Sequence, residues 1–130
     1  MSYPKIGIVL LVAVLFSVTA NAQKLRRKNF GNYSGVIASF ELVIDTIAVP
    51  VLAAPIKVRF EKELNVFVQT IGESQVIGTW TIANKTSNII FLTVHFPNLA
   101  IEENYELHLA DKTLIRKGMY PQPKTQLTKD

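Results

Sequence analysis

Two histidines, His95 and His108, are the first residues in this chain whose chemistry reaches beyond packing. An imidazole titrates near neutral pH and ligates metals. By two-residue alternation His95 shares a strand face with Ile89, Phe91 and Thr93, and His108 shares one with Glu106. If their strands pair, the two rings and Glu106 approach one another. A closed metal site needs three or four ligands at short range, so both histidines read as outward-facing surface residues. No metal and no other cofactor is expected. Glu41 and Asp45 lie on one strand face, but about 13 Å apart by strand rise, too far to share a proton. Glu102, Glu103 and Glu106 cluster near a turn and read as a solvated charge run. Ser34, Ser39, Ser74 and Ser87 sit in no Gly-x-Ser-x-Gly setting, and no glycine-rich phosphate loop occurs. The chain has no cysteine, which removes thiol nucleophiles, thiolate metal sites and disulfides. A protein without catalytic activity is expected.

The elements that position these residues are strands. Ile56, Val58 and Phe60 alternate with Lys57, Arg59 and Glu61. Leu64, Val66 and Val68 alternate with Asn65, Phe67 and Gln69, and the charged Glu61-Lys62-Glu63 between the two runs predicts a hairpin. Val36, Ala38, Phe40, Leu42 and Ile44 predict one long first strand with an apolar inner face. Val76, Gly78, Trp80 and Ile82 form the inner face of a middle strand. Residues 89–96 predict another strand, ended by Pro97. Tyr105, Leu107 and Leu109 predict a late strand, and residues 113–117 a last short one. Residues 46–54 are apolar, contain Pro50 and predict a flap or a continuation of the sheet. The fold class is all-β: an antiparallel up-and-down meander of seven or eight short strands, closing into a small barrel or nearly so, because closure removes exposed edges. A sandwich is the alternative.

The N-terminus predicts an address. Lys5, the apolar run of residues 6–16 and the small residues Ala20 and Ala22 match a secretory signal peptide over residues 1–22, cut between Ala22 and Gln23. The expected organisation is a signal peptide (1–22), a basic leader (23–29), a barrel domain (30–118) and an extended, poorly ordered tail (119–130). The mature chain is then periplasmic or secreted. Without residues 1–22 it holds 13 basic and 10 acidic residues, and Lys24, Arg26, Arg27 and Lys28 account for the whole excess. A nearly neutral domain with a short basic leader lacks the basic face that nucleic-acid binding needs. It supports at most a weak attraction to an anionic membrane surface.

Gly31-Asn32-Tyr33-Ser34-Gly35 opens the first strand, Gly78-Thr79-Trp80 lies in a middle one, and Tyr105-Glu106-Leu107 and Leu114-Ile115-Arg116 lie late. This order resembles the small lipocalin-like barrels of bacterial envelope proteins, including the N-terminal domain of copper-resistance and envelope-stress lipoproteins. The paired cysteines of the copper-resistance domain are absent. The resemblance implies a barrel holding a small apolar ligand. Phe40, Phe60, Val66, Trp80, Leu92, Tyr105 and Leu107 are the inward-facing candidates. They either fill a dry core or line a cavity in which Trp80 and Tyr105 orient a ligand with their polar tips. The functional expectation is an exported barrel binding a small apolar or amphipathic molecule. The alternative is an envelope interaction protein with a solid core, acting through the flap or the leader.

Overall fold

The computed structural model describes residues 25–130. The expected signal peptide, with its cut between Ala22 and Gln23, lies outside the described residues. No helix among the described residues is long and apolar enough to cross a membrane.

Ten strands follow in order: β1 (Gly31–Ile37), β2 (Phe40–Ile44), β3 (Ile47–Val51), β4 (Ala54–Phe60), β5 (Val66–Ile71), β6 (Ser74–Lys85), β7 (Ile89–Phe96), β8 (Ile101–His108), β9 (Thr113–Arg116) and β10 (Thr125–Lys129). Eight of them close an antiparallel barrel in the order β1-β10-β9-β8-β7-β6-β5-β4, and β2 and β3 form a separate hairpin. The expected closed meander is therefore the observed fold. β7 shows why these residues make strands. Ile90, Leu92, Val94 and Phe96 are buried, while Ile89, Phe91, Thr93 and His95 between them are half-buried or exposed. β4 repeats the pattern with Ile56, Val58 and Phe60 inside and Lys57 and Arg59 outside.

Gly78 allows β6 and β7 to approach closely. A Cβ there would lie 2.5 Å from the His95 carbonyl oxygen and 2.7 Å from Phe96 Cδ1.

Three expectations need correction. The long first strand over residues 36–45 is broken at Ala38 and Ser39. Pairing with β4 sets Tyr33 opposite Val58 and Ile37 opposite Ala54 on the inner face, which turns Val36 outward at 62 % exposure. Phe40 thereby leaves the barrel interior and sits half-buried on the hairpin. Val66 is also off the inner face. Phe67, opposite Phe60 and Gly78, and Gln69 point inward instead. Three apolar residues in succession, Val66-Phe67-Val68, make the alternation ambiguous, and the outward Val68 is covered all the same beside Arg59 and Ile77.

The third correction concerns the ends. The expected loose tail contains β10, which pairs with β1 on one side and β9 on the other and buries Thr125 and Leu127. The leader is likewise part of the body. Leu25 and Asn29 are buried, and Phe30 stacks on Phe60 with ring centroids 4.8 Å apart. These residues plug one end of the barrel, with Tyr33 Oη donating to the Asn29 carbonyl at 2.6 Å.

If β10 is structural, Leu127→Ala costs about 2–5 kcal/mol, read as a lower urea midpoint. Lys124→Ala, on an exposed residue beside the strand, stays within about 0.5 kcal/mol of the parent.

Candidate functional site

Phe60, Trp80, Leu92, Tyr105 and Leu107 all lie in one packed cluster inside the barrel. Phe67 touches Phe60, Phe96 and Tyr105 with ring centroids 6.1, 6.3 and 4.8 Å apart. The Trp80 indole N–H donates to the Glu61 carbonyl at 2.7 Å, and the Tyr105 hydroxyl donates to Gln69 Oε1. Both polar tips are thus engaged by protein. Four pockets lined by none of Trp80, Leu92, Tyr105 and Leu107 open on the surface of the described residues. Phe60 lines one beside the plug, and Phe40 lines one at the opposite end.

That opposite end is the mouth of the barrel. There the β2–β3 hairpin, the start of β8 and the loop from β9 to β10 meet. Glu103 and Arg116 lie at its floor, 7 % and 5 % exposed. Arg116 Nε donates to Glu103 Oε1 at 2.6 Å, and Gln69 Nε2 donates to Glu103 Oε2 at 3.0 Å. Arg116 Nη1 donates to Gln122 Oε1 at 2.8 Å. Burial raises the Tyr105 pKa well above its ordinary value, and the Glu103 carboxylate adds to this against the lowering effect of Arg116. Tyr105 therefore stays a donor. This network corrects the reading of Glu103 as part of a solvated run. Glu103 has the parity of Tyr105 and Leu107, and that parity was the available signal. Glu102 is exposed, and Glu106 binds Lys117 at 3.1 Å.

Over this floor lies a pocket of about 290 Å³. Its walls are Phe40 and Leu42 from the hairpin, Ile101 from β8, and Met119, Tyr120 and Pro121 from the loop. Glu103, Arg116 and Gln122 complete its lining. A guanidinium has five N–H donors. Nε and Nη1 of Arg116 are engaged by Glu103 and Gln122, and the guanidinium also hydrogen-bonds the Tyr105 hydroxyl. The mouth pocket thus combines an apolar wall with a polar floor whose charges balance.

The histidines do not converge. His95 pairs across from Glu102, and His108 across from Ile89, at the two ends of the β7–β8 ladder. Glu41 and Asp45 lie on and beyond β2, outside the barrel. Comparisons with protein-family models, with curated proteins and with solved structures find no match for this chain.

Two predictions follow from the buried groups. Arg116→Leu leaves Glu103 buried without its cation and costs about 3–5 kcal/mol in urea unfolding. The double variant Arg116→Leu/Glu103→Leu is more stable than the single one, because it removes both charges. Burial also pushes the Tyr33 phenol up to about 12. A raised folded-state pKa contributes stability below the unfolded value of about 10, lost as pH rises toward 12. Tyr33→Phe therefore shows a shallower loss of urea stability than the parent between about pH 9 and 11.5.

Proposed function

We propose that this protein is an exported, non-catalytic barrel that binds a small apolar or amphipathic molecule at its mouth rather than in its interior. The observation carrying this reading is the mouth pocket, in which Glu103, Arg116 and Gln122 form a polar floor below a wall of Phe40, Leu42, Met119 and Tyr120. Its volume of about 290 Å³ stands at the lower edge of the range for small-molecule sites. An apolar wall favours an apolar ligand body. The floor favours a neutral acceptor such as a carbonyl or ether oxygen, because Glu103 already balances Arg116 and would repel a second carboxylate. Tyr120 is 98 % exposed and Met119 69 %, so both are available to fold over a ligand. The address rests on the signal pattern of residues 1–22.

Native mass spectrometry of the protein purified from its host envelope tests both parts. The intact mass is expected to begin at Gln23. A small molecule is expected to be carried and released by organic extraction. Rebinding of that molecule to Met119→Ala/Tyr120→Ala is expected to weaken about tenfold or more, equivalent to about 1.4 kcal/mol of lost apolar contact. Thermal stability should be unchanged, since both side chains are exposed. Protein carrying no extractable mass would sink the ligand reading.

A further inference from the structure

The β2–β3 hairpin has a use that the mouth pocket does not exhaust. Asp45 and Thr46 form its two-residue turn with φ of 50° and 72°, the type I′ geometry that suits a twisted hairpin. In such a hairpin the flanking pair, here Ile44 and Ile47, exchanges both backbone hydrogen bonds, and pairs alternate from there. Val43 opposite Ala48 and Glu41 opposite Pro50 are then the non-hydrogen-bonded pairs. Their backbone groups point to the outer edges.

The two edges differ. On β3, Pro50 has no N–H to offer, which blocks strand addition. On β2, Glu41 and Val43 keep both N–H and C=O, and β3 is the only strand among the described residues that pairs with β2. An open edge of this kind is a template for another strand. It is apolar as well: Val43 is 72 % exposed, Ile44 56 % and, across the turn, Ile47 65 %.

We infer that two copies of this chain associate by antiparallel pairing of β2 with β2, on a twofold axis through Leu42, to give a four-stranded sheet. Charge selects this register. An axis through Glu41 sets two carboxylates opposite each other, and an axis through Val43 sets Glu41 opposite Asp45. Like charges directly opposed are unfavourable. The axis through Leu42 sets Glu41 opposite Val43 and Phe40 opposite Ile44, so that each exposed tip lies beside the half-buried base of the other hairpin. Pro50 on the far edges stops further growth, and the assembly closes at two copies.

Cysteine scanning in the protein purified from its host tests this pairing, because the native chain has no thiol. Across the proposed axis the two Leu42 Cα atoms would be a non-hydrogen-bonded pair about 4.5 Å apart, within disulfide range. Leu42→Cys is expected to form a covalent dimer under mild oxidation at least about tenfold faster than Val49→Cys on the neighbouring strand. The parent is expected to sediment as a dimer at about 100 μM. Val43→Pro, which removes one edge N–H, should sediment as a monomer with an unchanged melting temperature. A monomeric parent, equal cross-linking at both positions, or a Val43→Pro protein that dimerises like the parent would each overturn the inference. None of these results depends on whether the mouth binds a ligand.

Discussion

β1 pairs with β4 along its whole length, from Gly31 to Ile37, and with β10 at Tyr33 and Ser34. This double pairing closes the sheet, and the interior exists only because it does. It depends on close approach at Gly35, where a Cβ would lie 2.6 Å from the Gln126 carbonyl oxygen. With the seam shut, no strand of the barrel presents a free edge, and the inward side chains of eight strands compete for one narrow space. Tyr33, Phe60, Phe67, Phe96 and Tyr105 fill much of it. A chain without disulfides rests on this packing alone.

The filled interior moves chemistry to the ends. At one end Leu25 and Phe30 complete the core, so the chain is stoppered by its own residues. At the other the core gives way to a polar network. Glu103, Arg116, Gln69 and Tyr105 satisfy one another where a hydrophobic side chain would otherwise continue the packing. A buried ion pair adds little net stability relative to apolar residues of similar volume. Losing either partner, by contrast, would leave the other charge buried and uncompensated.

Legibility in the sequence followed pattern quality. β4 and β7 alternate cleanly, and their inner faces are the ones the alternation names. The stretch from Val36 to Ile44 also alternates, but an apolar hairpin that projects from the barrel carries the same pattern as a half-buried strand. Nothing local distinguishes Phe40 on a hairpin from Phe40 in a core. Val66 failed because both faces of β5 are apolar at that point. β10 reads as a polar tail: Thr125, Leu127 and Lys129 offer one apolar side chain to the core, and the strand is held mostly by backbone pairing with two neighbours. Glu103 was legible by parity but obscured by its acidic neighbours, and its partner Arg116 lies on another strand. The mouth pocket draws on β2, β8, β9 and a loop, a convergence that no single window contains.

Closure by β10 also orders events in time. Ser34 near the start of the barrel bonds Asp130, ninety-six positions later. Until residues 125–129 leave the ribosome, β1 and β9 each have a bare edge and the interior lies open to water. A nascent chain can form the β4–β8 meander from neighbouring strands, yet it cannot seal itself. A chain that has not yet placed residues 125–129 between β1 and β9 therefore keeps its core within reach of whatever holds or degrades unfolded chains.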